Sequence, residues 1–561
     1  MDLSQKVIYQ IYPRSFQDSN GDGIGDLRGI IQRLDYLQKL GIDMIWLSPF
    51  YPSPQNDNGY DVSNYTAIDP QFGTMSDFEE LVIQAKKHEI EIMLDMVFNH
   101  TSTEHEWFQK ALAGDKEYQD FYYIRPLKED GSLPTNWQSK FGGPAWEKFG
   151  ETDLYYLHLY DKTQADLNWH NPKVRKSLQE VVKFWMNKGV KGFRFDVLNV
   201  IGKAPILVDS QQVDINQEKA LYTDTPIVGQ WIEELNQTTF GQDASFVTVG
   251  EMSSTTIDAG ISYTNPTENK LSMIFSFHHL KVDYEKGEKW SNSAFDFIQF
   301  KKIIDDWQVG MFQGHGWNAL FLNNHDQPRA NSRFGDTDNY PFETATMLAQ
   351  MIHFLRGTPY IYQGEEIGMT NPNFSNIEQY QDVETKNYYR ILKDKGLGEE
   401  EIMSIIQAKS RDNSRTPMQW SDQIGAGFTK GEPWLAIANN FQNINAKKEL
   451  NQEGIFHYYQ QLIRLRKENP IIQKGSYRGL YLDDPHFMVY VRKLESENQP
   501  NQELLVICHF GEQERLFTMP KAYQNRKAKS LLGNGPLHKR YNGTTSLEFG
   551  PYETVAYLFK E

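Results

Sequence analysis

Eight short apolar runs, alternating with helix-like stretches, set the strongest limit on what this chain can fold into. They are VIYQIYPRSF (7–16), MIWLSPF (44–50), EIMLDMVFNH (91–100), GFRFDVL (192–198), SFVTVGE (245–251), LSMIFSF (271–277), WNALFLNNHD (317–326) and TPYIYQGEE (358–366). Between the first two, Ile30, Ile31, Leu34, Leu37 and Leu40 recur at helical spacing. Strands this apolar belong to a parallel sheet covered on both faces. Eight such units predict a closed (β/α)₈ barrel of the α/β class rather than an open doubly wound sheet. Polar clusters close several of the runs: Asn99–His100, Asp196, Glu251, His325–Asp326 and Glu365–Glu366. In a barrel those strand ends form the face that carries chemistry. Core packing alone gives no reason for carboxylates to recur there.

Residues 101–173 read differently, being rich in Tyr, Trp, Gly and Pro with weak periodicity. They are expected to form an irregular insertion domain after the third strand, overhanging the barrel mouth. From residue 476 onward, HFMVYVRKL, ELLVICHF, SLEFG and TVAYLF are separated by turn residues, which predicts a C-terminal antiparallel β-sandwich. The expected organisation is therefore barrel 1–100, insertion domain 101–173, barrel 174–475 and β-sandwich 476–561.

Composition narrows the setting. Apolar residues are 39% and charged residues 23% of 561, as in ordinary globular proteins. No run approaches the ~18 apolar residues of a membrane-spanning helix. The first residues, MDLSQKVIYQ, contain no apolar segment of a secretory signal. A single cysteine, Cys508, excludes an internal disulfide and Cys-based zinc or iron–sulfur sites. A reducing, cytoplasmic setting is expected. The net charge of −17 opposes binding to nucleic acid or to anionic membranes. It leaves a small anionic substrate open, because a few local cations dominate inside a cleft. No obligate protein partner and no organic cofactor are implied.

Splitting an acetal takes one carboxyl group to protonate the leaving oxygen and another to capture the oxocarbenium-like carbon. Asp196 follows Arg194 by two residues, so both share a strand face and the arginine can hold the carboxylate ionised. Glu251 emerges from apolar FVTVG, surroundings that raise a carboxyl pKa as a general acid requires. Asp326 follows Asn323, Asn324 and His325. Taken singly, each of these carboxylates also fits a structural ion pair or a helix cap.

Taken together, DMVFNH (95–100), GFRFDVLN (192–199), VGEM (249–252) and FLNNHD (321–326) resemble, in order, four motifs of the α-amylase superfamily of retaining α-glycoside hydrolases. NGYDVSNY (58–65), GEEIGM (364–369) and RDNSRTPMQW (411–420) are similar to its oligosaccharide-type α-glucosidase branch. The resemblance implies Asp196 as nucleophile, Glu251 as acid/base and Asp326 as a transition-state stabiliser that binds ring hydroxyls. His100, Arg194 and His325 would orient the glucose in the −1 subsite, and Asp61 and Arg411 would clamp its far end. A retaining mechanism implies a carboxyl separation of about 5–5.5 Å.

Near the start, DSNGDGIGD places Asp18, Asn20, Asp22, the carbonyl of Ile24, and Asp26 in a Ca²⁺-loop pattern, with Gly23 for a sharp turn. On spacing alone an acidic turn explains it too. The α-glucosidase branch carries a similar loop, so the resemblance implies a structural Ca²⁺.

The sugar is read from two places. Val197 follows the nucleophile; in this branch valine there accompanies α-1,6 or trehalose-type substrates, and threonine accompanies maltose-type ones. FSFHHLKVDYEKGEKW (275–290), EMSSTTI (251–257) and YTNP (263–266) resemble members that act on a phosphorylated trehalose. His278 and Lys281 stand where the oligo-1,6-glucosidases have acids. Basic groups at the sixth strand end suit a dianionic phosphate. Lys281 is the leading expected phosphate ligand, His278 the second and Lys289 the third, although a lone lysine is ordinarily a solvated surface charge. The implied partner is a phosphorylated disaccharide, α,α-trehalose 6-phosphate, split into glucose and glucose 6-phosphate. The alternatives are an oligo-1,6-glucosidase acting on isomaltose-type sugars, and a non-catalytic, transporter-associated relative. The latter lacks part of the catalytic set and carries an anchor.

Overall fold

The computed structural model describes residues 2–211, 215–495, 500–536, 541 and 543–560, with backbone alone for 215–217. All eight expected strands form: β1 (Ile8–Ile11), β2 (Met44–Leu47), β3 (Glu91–Met96), β4 (Gly192–Phe195), β5 (Val247–Glu251), β6 (Met273–Phe275), β7 (Ala319–Leu320) and β8 (Thr358–Tyr362). They pair in parallel in the order β6-β5-β4-β3-β2-β1-β8-β7. A parallel bridge between Ile274 and Asn318 joins β6 to β7 and closes the ring. Every residue of β1, β2, β4 and β5 is buried, which is why these strands read as continuous apolar runs rather than alternating ones.

The helices between strands begin where local chemistry dictates. Thr74 and Asp77 form a reciprocal capping box ahead of the helix Met75–Lys87. Asn171 caps the helix Pro172–Asn187, whose proline occupies the first turn, where its missing N–H costs nothing. That helix turns Val174, Leu178, Val182 and Trp185 inward. At the start of β4, a Cβ on Gly192 would sit 3.0 Å from both Met44 Sδ and Met93 Cβ, so a larger residue there would push both methionines aside.

Residues 101–173 form a small layer between β3 and the helix Pro172–Asn187. Its strands His100–Ser102 and Gln164–Asp166 pair, and Leu154–Leu157 pairs with both Ile124–Pro126 and Trp146–Lys148. Aromatic rings fill it: Trp137 and Trp146 cluster with Tyr222, which comes from the chain after β4, and Phe108, Phe149 and Tyr156 are in contact. The C-terminal part holds a five-stranded antiparallel sheet and a two-stranded one, Arg515–Thr518 with Ser546–Phe549. Between them lies a separate core that includes Phe487, Ile507, Phe517, Phe549 and Val555. No helix among the described residues is long and apolar enough to cross a membrane.

Lys301 fastens this C-terminal part to the barrel. Its ammonium, on the helix Phe297–Gln313, donates to the carbonyls of Tyr481 (3.0 Å), Phe487 (2.9 Å) and Asp484. Removing the donor strands three buried or half-buried carbonyls. Hydrogen bonds to a charged group contribute ~1.5–3 kcal/mol each, so Lys301→Met is expected to cost roughly 2–4 kcal/mol. Urea unfolding measures that loss, and the turnover of an aryl α-glucoside is expected to stay within about twofold of wild type.

Candidate active site

The three expected carboxylates converge because their strands are neighbours. In register, Asp95 of β3 faces Arg194 of β4, and Val249 of β5 faces Arg194 from the other side. The fully buried Arg194 guanidinium uses Nη1 for Asp95 Oδ1 (2.7 Å) and Asp196 Oδ1 (2.6 Å), and Nη2 for Glu251 Oε2. Trp46 Nε1 and Tyr60 OH hold the other oxygen of Asp95 at 3.1 and 3.0 Å. Burial raises the carboxyl pKa values, to about 6 for Asp196 and about 7 for Glu251, against the pull of Arg194. After Asp196 the chain turns at once: Val197 has φ 37°, ψ 43°, a left-handed conformation that costs a β-branched residue strain. That turn leaves Asp196 at the lip of β4, in a cavity of about 200 Å³.

Asp326 closes the cavity from β7. Burial alone would raise its pKa, but His325, Arg411 and Arg415 hold it well below the usual carboxylate range. Arg415 Nη2 donates to Asp326 at 2.6 Å, and His325 Nε2 stands 3.1 Å from its other oxygen. Gln10 sits on His325 Nδ1 at 2.8 Å, which places the imidazole proton on Nε2, toward Asp326. His325 stacks on Tyr60 with centroids 5.0 Å apart. His100 is buried, and burial lowers its pKa to about 4, so it lines the cavity as a neutral imidazole.

Arg411 lines the cavity, bound to Asp57 (2.8 Å), Asp382 (2.5 Å) and Asp326 (3.4 Å), beneath the ring of Phe141. The expectation for Asp61 is corrected: it is buried behind the wall. It accepts from Ser53 Oγ (2.8 Å), Asn56 N (2.8 Å) and Asp57 N (3.1 Å), and so braces its own loop. Asp57, four residues earlier, faces the cavity instead and is braced by Gln164 at 3.0 Å.

Beyond the carboxylates the lining turns basic. Lys281 reaches the cavity and donates to Ser254 Oγ (2.9 Å) and Ser253 Oγ (3.3 Å). A second cavity of about 400 Å³ adjoins it, and Lys140, Lys219, Lys281 and Lys289 line it with Ser253, Ser254 and Thr223. Lys289 is spent on Glu384 at 2.8 Å. The expectation that His278 faces a phosphate is also corrected. Its Nε2 donates to Thr255 O at 2.7 Å and its ring stacks on Trp307, so it braces the loop behind Lys281 rather than lining either cavity.

Sequence reasoning missed Asp57, Asp95, Lys140, Tyr160, Asp382 and Arg415. For Arg415 a signal existed, since RDNSR puts it one helical turn from Arg411. Lys140 and Tyr160 lie in the aperiodic insertion, where no spacing marks them.

The acidic loop near the start is drawn in by its own hydrogen bonds. Asp18 accepts from the N–H groups of Asn20, Gly21 and Gly23 and from Thr429. Asp26 accepts from Ser19 and caps the next helix through Gly29 N. Asn20 bonds to Asp22 at 3.0 Å, Asp22 also accepts from the N–H of Ile24, and this edge is exposed. The donors are oxygens of the kind Ca²⁺ takes, but no three acidic, histidine or cysteine groups among the described residues are arranged as a cage.

This geometry has known counterparts. The alpha-amylase catalytic-domain family matches residues 10–475. Trehalose-6-phosphate hydrolase of Bacillus subtilis (strain 168) is 49% identical over 555 residues, 98% of this chain and 97% of that protein. Oligo-1,6-glucosidase of Parageobacillus thermoglucosidasius is 46% identical over 536 residues, 94% of each. The crystal structure of trehalose-6-phosphate hydrolase from Bacillus licheniformis matches with a TM-score of 0.93 at 49% identity, over 100% of both chains. Shared across barrel, insertion and C-terminal sheets, this likeness makes the chain a member of the alpha-amylase family.

Proposed function

We propose that the chain hydrolyses α,α-trehalose 6-phosphate with retention at the cleaved carbon, giving glucose and glucose 6-phosphate, in a cytoplasm where sugar phosphates are retained. The observation that carries the substrate is Lys281, a half-buried ammonium whose hydrogen bonds among the described residues go to two serine hydroxyls, beside a carboxylate-lined cavity sized for one sugar ring. An uncompensated cation there suits an anionic ring; an isomaltose-type sugar gives it no counter-charge. The relatives named for trehalose 6-phosphate and for 1,6-linked sugars share the barrel, so the choice rests on these basic residues.

In this reading the unphosphorylated glucose fills the acidic cavity, with Asp57, His100, Asp326 and Arg411 against its hydroxyls. Asp196 attacks C1 while Glu251 gives its proton to the bridging oxygen, and glucose 6-phosphate leaves. Glu251, now ionised, takes a proton from water, which opens the glucosyl–Asp196 ester. Sharing one guanidinium keeps the two carboxyls close, which suits the ~5–5.5 Å spacing of retaining enzymes rather than the ~6.5–9.5 Å of inverting ones. The loop 18–26 is proposed to hold a structural Ca²⁺, which would have to draw in the exposed Asn20–Asp22 edge.

Three outcomes are expected. Product analysis gives equal glucose and glucose 6-phosphate from trehalose 6-phosphate, and Lys281→Ala lowers kcat/KM for that substrate by about 10–100-fold, the size of a lost charged hydrogen bond. An aryl α-glucoside is affected less, and equal losses on both would remove the phosphate role. On the aryl glucoside, kcat/KM is expected to be bell-shaped. Activity falls below about pH 6 as Asp196 protonates and above about pH 7 as Glu251 loses its proton. Glu251→Gln should abolish the alkaline limb. For the loop, a chelator is expected to lower Tm and added Ca²⁺ to restore it; an unchanged melt leaves the loop metal-free.

A further inference from the structure

Lys140 lies on the insertion-domain loop, its N–H bonded to Leu159 O at 2.8 Å. Its ammonium donates to Tyr160 OH at 3.2 Å and stands 5.1 and 5.6 Å from the ring centroids of Tyr160 and Tyr222. Among the described residues no carboxylate pairs with it. Three lysines that are more deeply buried are satisfied differently. Lys203 pairs with Asp166 at 2.8 Å, Lys409 with Asp283 at 2.8 Å, and Lys301 has its three carbonyls. Lys140, half-buried at the wall of a cavity and held by a phenol and two rings, has neither a counter-charge nor a full set of acceptors by that standard. Lys281 is incomplete in the same way, and the two lysines line the same two cavities from separate parts of the chain.

We propose that Lys140 is a specificity residue: with Lys281 it binds the phosphate of the departing sugar, so that insertion domain and barrel grip the substrate together. This rests on the phosphorylated substrate of the preceding section. The groups that face Lys140 are mostly cationic. Lys219, Lys281 and Lys203 oppose its charge, Glu251 and Glu218 favour it, and Tyr160 and Tyr222 are neutral. Burial first, and then Lys219 and Lys281, push Lys140 down to about 7; burial and Lys219 push Lys281 down to about 8. The sign follows. Both lysines lose their protons in the free enzyme as pH rises through these values, and a phosphate monoester, dianionic above about pH 6, draws the protons back. Preference for the phosphorylated substrate is therefore strongest near neutrality and fades in alkali.

The readout is the ratio of kcat/KM for trehalose 6-phosphate to kcat/KM for 4-nitrophenyl α-glucoside, which cancels the titration of Glu251. In Lys140→Met the ratio is expected to fall about tenfold or more. In the wild type the ratio declines above about pH 8. In Lys140→Arg it keeps most of its neutral value and the decline is shallower, because a guanidinium stays charged. An unchanged ratio in Lys140→Met, or a wild-type pH profile in Lys140→Arg, overturns the proposal. Should Lys140→Met fail to fold, the arginine variant decides alone. If the wild type leaves trehalose 6-phosphate intact, the substrate reading itself fails. If the wild type cleaves it and Lys281→Ala lowers the ratio while Lys140→Met does not, only the role of Lys140 falls.

Discussion

A single buried guanidinium organises the carboxylate end of this molecule. Arg194 projects from the centre of the barrel and binds Asp95, Asp196 and Glu251 at once. Three ionised carboxylates around one arginine would leave two uncompensated negative charges out of water, a cost of several kcal/mol for each. The arrangement therefore keeps a proton within the cluster. Burial and mutual repulsion raise all three carboxyls, and Glu251, at about 7, stands above Asp95 and Asp196, each at about 6. This division of labour, one carboxyl protonated and its neighbour ionised, is what the proposed acid and nucleophile require. It follows from strand order, because β3, β4 and β5 are adjacent and bring their ends together without any loop having to fold over.

The same economy shapes the rest of the acidic cavity. Asp326 is a carboxylate that never needs to protonate, and two arginines and a histidine surround it accordingly. Arg411 and Arg415 are shared in turn with Asp57 and Asp382, so the wall is a chain of alternating charges rather than a set of isolated pairs. Removing one member leaves several partners uncompensated, and a site of this kind holds its geometry before substrate arrives.

How much of this was legible in the sequence depended on whether the answer was local. The eight strands were, because burial on both faces writes an uninterrupted apolar run. So were Asp196, Glu251, Asp326, His100, His325, Arg194 and Arg411, each fixed by its place at a strand end or in a motif. The choice between Asp57 and Asp61 was not. Both lie in one loop, and the left-handed turn at Asn58 (φ 48°) and Gly59 (φ 100°) decides which carboxylate faces the cavity and which folds back on the backbone. His278 failed for a related reason. It shares a 3₁₀ turn with Lys281, yet an imidazole finds a carbonyl and an indole within reach, whereas the longer ammonium extends to the cavity. Lys140 and Tyr160 could not have been paired from spacing, since two strands of the insertion, Trp146–Lys148 and Leu154–Leu157, separate them.

The charge pattern across the two cavities also settles orientation on the proposed reading. Trehalose 6-phosphate is two glucose rings joined through their anomeric carbons, so it could enter with either ring first. Asp57, Asp196, Glu251 and Asp326 line the inner cavity alone, with Arg411, whereas Lys140, Lys281 and Lys289 line both cavities. A dianionic ester placed among those carboxyls would meet the ionised Asp196 and Asp326 at close range, which opposes that orientation. The outer cavity has none of these four carboxyls and is lined by Lys140, Lys219 and Lys281, with Lys289 paired to Glu384. Attraction and exclusion act in the same direction, and the plain ring is the one delivered to Asp196. The net charge of −17 then does not weaken capture, because the field that matters to the ester is set within one Debye length, ~8 Å, of the lysines.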